Sequence, residues 1–574
     1  MKTRSYVLIL VLVFFALIAG AVLAVLYDWF ARPPDVPAAA YLEIPLAGAL
    51  VDFAEPNVWT ALLLGGRPLS VHDVWSALRK AAVDSRITGV LLRLGPLECD
   101  WAKCAEIRRA VLRFRASGKK AYAFIEEAPE FDKEYYLATA CDRILLHPLG
   151  WLGITGLGGP VPFFKKALDK LGVRAEFEQA EDFKTAANAF TEEKFNPAHR
   201  EMMESIVGSR FEEYVREVAS ARGKTEPEVK ALVDRAFFHG EEAVEAGLVD
   251  ALLYEDEAAA LFDSRGGRSR RTTLAEYARV SPESAGLKGR RRLALMYLQG
   301  PIHGGASLTR TIGSETAGRW LRAAREDRAI AAVVLRVDSP GGSAVASDSI
   351  WREIALLGKA KPVVVSMSDL AGSGGYWIAL GAAKILAQPQ TLTGSIGVLA
   401  GKFDFSALFA RLGVTSDTVA RGARADVFSP FRAMTPEERG LLKKQVLWIY
   451  ERFLAKTAES RTMPVEAVAE LAKGRVWTGR QAQEAGLIDE IGGLEEAVGL
   501  AKSLAGIPAE EEVRLVVWPR GTSFLFPLSG PFVQAALRRG PRGSGPAAEL
   551  LRALDWAGRL DEDMVWAVMP LALR

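Results

Sequence analysis

Ser339-Pro340-Gly341-Gly342-Ser343 follows a β-branched apolar run and precedes a helical stretch. Glycines at such a turn let backbone N–H groups face an incoming carbonyl or anion; a plain strand-to-helix turn is the alternative reading. A second segment, Ala371-Gly372-Ser373-Gly374-Gly375-Tyr376-Trp377, also follows a β-branched run. Its small residues leave the Ser373 hydroxyl approachable, as a nucleophile requires, whereas a serine at a helix start can also act only as an N-cap. The N–H groups of Gly341 and Gly374 could together hold a tetrahedral oxyanion, at about 3 kcal/mol per donor.

A serine nucleophile needs a base. The five histidines, His72, His147, His199, His239 and His303, neither fall in a GxSxG arrangement nor stand beside an aspartate in either glycine segment. A Ser-His-Asp triad therefore has no support in the sequence, although geometry rather than order defines one. A lysine serves instead where burial lowers its pKa toward neutrality. Cys99, Cys104 and Cys141 form no CxxC pair and no histidine cluster, so no metal site, disulfide framework or cofactor is indicated, although Cys99 and Cys104 are near enough in sequence to pair.

The elements that must position these residues occur twice. The segment from Asp84 to Leu94 reappears from Asp327 to Val337, and that from Ala243 to Asp250 reappears from Ala482 to Asp489, at offsets of 243 and 239 positions. Two distant matches sharing nearly one offset identify an internal duplication. Within each copy, runs such as Val333-Val334-Leu335 and Val363-Val364-Val365 alternate with helical stretches such as 345–357. That alternation predicts α/β units around a buried, largely parallel sheet. A chain of 574 residues exceeds one hydrophobic core, and its balance of 49% apolar and 25% charged residues with net charge +2 fits a folded protein and argues against nucleic-acid partners.

With these motifs in place, the chain resembles the long, tandem form of the signal peptide peptidase A (protease IV) family, Ser/Lys peptidases of family S49 related in fold to the Clp protease and crotonase group. The resemblance spans roughly residues 41–505 and implies two tandem domains of that β-β-α superhelix fold. It identifies Ser373, in Ser373-Gly374-Gly375-Tyr376-Trp377, as nucleophile after the Ser339–Gly342 loop. The family's Y-K-S-A-like segment is similar to Phe183-Lys184-Thr185-Ala186, which implies Lys184 as general base despite two substitutions. Its T-G-S-I-G segment matches Thr393-Gly394-Ser395-Ile396-Gly397 and implies Ser395 as the residue supporting the lysine. Aligning the copies places Lys184 opposite Ala425 and Ser373 opposite Asp132. Each copy thus lacks what the other supplies, and the site is expected where a first copy meets a second.

Lys2 and Arg4 precede an apolar run over residues 6–27, long enough to span a bilayer. The length of that run favours a single uncleaved anchor, and the flanking charges a cytoplasmic N-terminus; a signal peptide cleaved near Ala19-Gly20-Ala21 is the alternative. The expected organisation is an anchor over 1–30, a first repeat over 41–262, an Arg-rich solvated linker over 263–292, a second repeat over 293–506 and an extension over 507–574 with an amphipathic stretch near 547–560. The resemblance implies hydrophobic peptide substrates, signal peptides among them, a homo-oligomer such as a tetramer, and a bacterial inner membrane location with periplasmic catalytic domains. A crotonase-like thioester enzyme uses the same glycine donors, and a non-catalytic anchored scaffold is the second alternative.

Overall fold

The computed structural model describes residues 36–55, 68–126, 128, 130–263, 267–519 and 566–568, with positions 13, 14, 17, 20 and 34. The first copy comprises β1 (Ala40–Val51), β2 (Ile87–Glu98), α1 (Trp101–Ala116), β3 (Lys120–Ile125), α2 (Asp132–Ala138), β4 (Arg143–Leu146), β5 (Arg174–Gln179), α3 (Pro197–Arg222), β6 (Ala251–Leu252) and β7 (Arg270–Thr273). The second comprises β8 (Arg291–Gln299), β9 (Ile330–Ser339), β10 (Gly341–Ser343), α4 (Ala344–Gly358), β11 (Val363–Gly372), α5 (Gly374–Ala379), β12 (Lys384–Ala387), β13 (Leu392–Gly394), β14 (Leu399–Asp404), α6 (Pro436–Arg461), β15 (Val476–Thr478) and β16 (Val513–Trp518); β17 (Trp566–Val568) follows.

The first sheet runs β7-β1-β2-β3-β4-β6, and the second carries the matching path β16-β8-β9-β11-β12 with Glu490–Ile491 beside β12. All these pairings are parallel, and β15 joins β13 antiparallel at one edge of the second sheet. Continuous apolar runs suit strands buried on both faces, and alternate residues of one strand serve different cores. Val333, Leu335 and Val365 face the second copy's own core, while Val334 and Val364 join a core that extends through the whole first sheet. The two copies are therefore welded by one continuous apolar interior. The long helices α3 and α6 each have 26 residues, begin with a proline in the first turn, and are capped by Asn196 and Thr435 respectively.

A third sheet crosses between copies in the order Ile312–Gly313, Ile302–His303, β10, β17, β14, β5. First-copy β5 pairs antiparallel with second-copy β14 from Arg174↔Asp404 to Gln179↔Leu399. This pairing delivers the chain that follows β5 to the second copy.

Two expected boundaries shift. The Arg-rich segment 263–292 contains β7, which hydrogen-bonds along β1, with Thr272 buried and Arg271 3.4 Å from the buried Glu43. The extension after 506 likewise contains β16, which adds to the second sheet beside β8. Arg270 and Arg271, adjacent on this edge strand and both exposed, read as a solvated run, which conceals the strand in the sequence. Among the described residues no helix is long and apolar enough to cross a membrane. The expected anchor, apart from isolated positions, and the amphipathic stretch near 547–560 lie outside the described residues.

Candidate active site

Ser373 stands between β11 and α5, with φ 54° and ψ −114°, a conformation a non-glycine residue seldom adopts. Strained backbone of this kind needs strong surrounding support and clusters at functional sites. Here the Ser373 N–H donates to Gly394 O at 2.8 Å, and α5 returns the Trp377 N–H to Ser373 O at 2.8 Å. Ser395 is also at positive φ, 49°, and its N–H donates to Arg475 O at 2.8 Å.

Lys184 arrives from the first copy. After β5, the Ala180 N–H donates to Val398 O and the Phe183 N–H to Lys473 O, so the segment is held by second-copy backbone at both ends. The Gly474 N–H donates in turn to Ile396 O, and Arg475 lies over the Phe183 ring, 5.0 Å from its centroid. A side chain at Gly474 has no room: an added Cβ would stand 2.4 Å from Lys184 N, and φ is +82°. Gly397 similarly lies against the Lys184 stem. Gly474 is not among the residues singled out in the sequence, because its requirement arises only once a segment from the other copy is docked; Gly397 closes the Thr393–Gly397 segment, but its contact with the lysine could not be read there.

Lys184 is fully buried, and its Nζ lies 2.7 Å from Ser373 Oγ, 3.0 Å from Ser395 Oγ and 3.0 Å from Ser395 O. Burial pushes its pKa well below the usual lysine range, and among the described residues no carboxylate is close by to oppose the effect. A neutral amine has two N–H donors and one lone pair. If the two oxygens of Ser395 take the donors, the lone pair is left for the Ser373 hydroxyl, an arrangement able to accept its proton. Among the described residues, the other contact of Ser373 Oγ is Gly397 O at 3.3 Å, and no histidine reaches it.

The glycine turns also meet. A Cβ built on Gly374 would lie 3.1 Å from Gly341 Cα and 3.2 Å from Gly342 N, so β10 and the start of α5 are in close apposition. The Gly374 N–H opens α5 and has no intrahelical partner. The Gly341 N–H donates to Ser339 Oγ at 3.2 Å, a long bond within its own loop.

The first copy has filled its own version of this place. Tyr135 and Tyr376 make the same bond, each hydroxyl donating at 2.7 Å to Leu248 O and Leu487 O, which aligns Asp132 with Ser373. The Asp132 carboxylate accepts the N–H groups of Thr155 and Gly156 at 3.0 and 3.1 Å, and burial raises its pKa. Ala425, aligned with Lys184, is exposed.

The peptidase family S49 model matches residues 113–265 and 355–508, one segment in each copy. The chain is 36% identical over 468 residues to the chloroplastic serine protease SPPA of Arabidopsis thaliana, covering 80% of this chain and 69% of that protein. It is 32% identical over 491 residues to Protease 4 of Salmonella typhi, covering 81% and 78% of the two chains. Protease 4 of Haemophilus influenzae is 31% identical over 454 residues, 76% of this chain and 73% of that one. Among solved structures, a ClpP1 mutant from Listeria monocytogenes overlaps 36% of this chain and 94% of its own, with 15% identity and a TM-score of 0.25. A duplicated α/β chain matching that family once in each copy, and its relatives over most of their length, belongs to peptidase family S49 and is a serine-type peptidase.

Proposed function

We propose that Ser373 is the nucleophile and Lys184 the general base of a Ser/Lys dyad that cleaves extended, hydrophobic peptides at a membrane surface, spent signal peptides among them. The 2.7 Å approach of a fully buried lysine to Ser373 Oγ carries this reading. The neutral amine removes the Ser373 proton as Oγ attacks the scissile carbonyl carbon. The resulting oxyanion faces Gly374 N–H and the β10 loop, where Gly341 N–H turns from its long bond to Ser339. Collapse breaks the C–N bond, the Lys184 ammonium returns its proton to the leaving amine, and water activated by the same lysine hydrolyses the acyl-enzyme. Ser395 keeps the amine oriented throughout.

An extended substrate fits between β10 and β14, a position one strand wide beside Ser373. The chain's own β17 lies there, antiparallel to both, with Gly342 opposite Ala567 and Leu399 opposite Trp566. Its surroundings in sequence, residues 564–573, carry no charge, in keeping with apolar substrates. The N-terminal apolar run would hold such a site near a bilayer, with the catalytic domains on the outer face and copies of the chain assembled as a homo-oligomer.

Ser373→Ala and Lys184→Ala should each abolish hydrolysis of a fluorogenic peptide ester while remaining folded by thermal unfolding. A fluorophosphonate should label Ser373 in the unsubstituted protein; retained hydrolysis in Ser373→Ala would overturn the assignment.

A further inference from the structure

Two carboxylates stand where the second copy turns into its site. Asp338 precedes Ser339 at the end of β9, just before the Gly341–Gly342 turn, and Asp369 lies on β11, four residues before Ser373. A second lysine of the first copy reaches both: Lys103 Nζ, in the first turn of α1, is 2.7 Å from Asp338 Oδ2 and 2.7 Å from Asp369 Oδ2. The Asp369 carboxylate also accepts the N–H groups of Asp100 and Lys103, at 3.0 and 2.8 Å, and so caps the N-terminus of α1 across the seam. Asp338 Oδ1 accepts the Leu370 N–H at 3.2 Å, which ties β9 to β11 a second time.

The charges around this point do not balance. Among the described residues, Asp52, Asp100, Glu106, Asp338 and Asp369 form ion pairs with three cations, Lys103, Arg210 and Arg336. Arg336 is committed to Asp52 at 2.8 Å and Glu106 at 2.9 Å, and Arg210 to Asp100 at 2.7 Å. Among the described residues Lys103 alone joins Asp338 to Asp369. Burial holds the Asp338 carboxyl at about 7 even with Lys103 beside it, and burial likewise raises Asp100 and Glu106. The duplication gives this lysine a direction. The offset that matches Ile107 to Ile350, both fully buried, places Lys103 opposite Ala346, so the cation occurs only in the copy that donates Lys184.

We propose that Lys103 is a positioning residue for acyl transfer: its ammonium clamps β9 to β11 where the glycine loop and the nucleophile turn begin, so that the first copy sets the spacing of Gly341 and Gly374 as well as supplying the base. The proposal rests on the Ser373/Lys184 reading. Without the ammonium, Asp338 and Asp369 either share a proton or repel, and repulsion opens the two strand ends on which the oxyanion donors depend.

The test uses the full chain and a fluorogenic peptide ester. Lys103→Met should lower kcat by roughly 100-fold, the scale set by misplacing a reacting or stabilising group by about 1 Å, with KM nearly unchanged. Its kcat/KM should also acquire a falling limb above neutral pH, as the second carboxylate ionises, that the unsubstituted enzyme lacks. Adding Asp338→Asn should remove that limb and return part of the lost kcat, and Lys103→Arg should retain more activity than Lys103→Met. A folded Lys103→Met enzyme with wild-type kcat and pH profile, or one that Asp338→Asn does not relieve, would overturn the proposal. Should Lys103→Met fail to fold, Asp338→Asn alone decides: its neutral amide loosens the clamp and should lower kcat, and unchanged kcat overturns the idea. Fluorophosphonate labelling of Ser373 in the unsubstituted enzyme tests the underlying dyad separately.

Discussion

Lys184 and Ser373 are 189 positions apart in the chain and 2.7 Å apart in the fold, each contributed by a different copy of the duplicated unit. What joins them is backbone: β5 adds to β14, and the following turn is pinned at Val398 and Lys473. The Lys184 amine is therefore positioned by strand pairing, while its proton affinity is set by burial.

That burial has a sign that can be measured. The Lys184 pKa in the folded protein is depressed below its unfolded value, so the unfolded chain binds more protons in the window between the two. Lys184 accordingly costs stability at and below its folded pKa, and the cost fades as pH rises toward the ordinary lysine range. Thermal unfolding followed from pH 7 to pH 10 should show this contribution in the native protein and its loss in Lys184→Met. The hydrolysis rate should rise through the lower, folded pKa and level off above it, because only the neutral amine accepts the Ser373 proton. A kcat/KM with no rising limb at any pH at which the protein stays folded would contradict the assignment of Lys184 as base.

Ser395 offers two oxygens to one amine, which makes their roles separable. Ser395→Ala removes Oγ but keeps the carbonyl oxygen 3.0 Å from Lys184 Nζ, so the lysine stays in place with one N–H unpaired. The expected result is a loss of roughly 10- to 100-fold in kcat, part of the range assigned to a well-oriented base, with KM little changed. Steady-state kinetics on the ester substrate check it, and full activity would reduce Ser395 to a packing role.

Gly474 tests the docking rather than the chemistry. Its Cα faces the Lys184 backbone so closely that any Cβ must displace it, and its φ of +82° adds strain for an L side chain. Gly474→Ala should leave both sheets folded yet lower hydrolysis by roughly 100-fold, the loss expected from moving a reacting group by about 1 Å. Fluorophosphonate labelling of Ser373 should slow in parallel; an unchanged rate would show that the lysine segment accommodates the methyl group.

The serine was legible because its neighbours are adjacent in sequence: small residues, a preceding buried strand and a following helix start all lie within a few positions of Ser373. Lys184 carries no such local mark, since a lysine between a phenylalanine and a threonine ordinarily sits in solvent. Only the duplication and the family resemblance single it out. The strand β7 was concealed by its arginines and β16 by its place in the stretch read as an extension, although their starts at Arg270 and Val513 keep the 243-position offset. Lys103 was invisible for a related reason. Charged residues in the first turns of a helix usually face water, and nothing in the sequence places the carboxylates of Asp338 and Asp369, from the other copy, beside this one.

The strand β17 makes the reading of the substrate cleft testable. Trp566–Val568 occupies the place between β10 and β14, and a tethered segment competes at an effective concentration of about a millimolar when its linker permits. A chain ending at residue 561 should therefore bind a short apolar peptide substrate with lower KM than the full chain, at similar kcat, because backbone groups of Ser343 and Leu399 become available for strand addition. A synthetic peptide with the sequence of residues 562–574 should restore the higher apparent KM in trans by competition. Equal KM for the two chains, together with no inhibition by the peptide, would place the substrate strand elsewhere on the molecule.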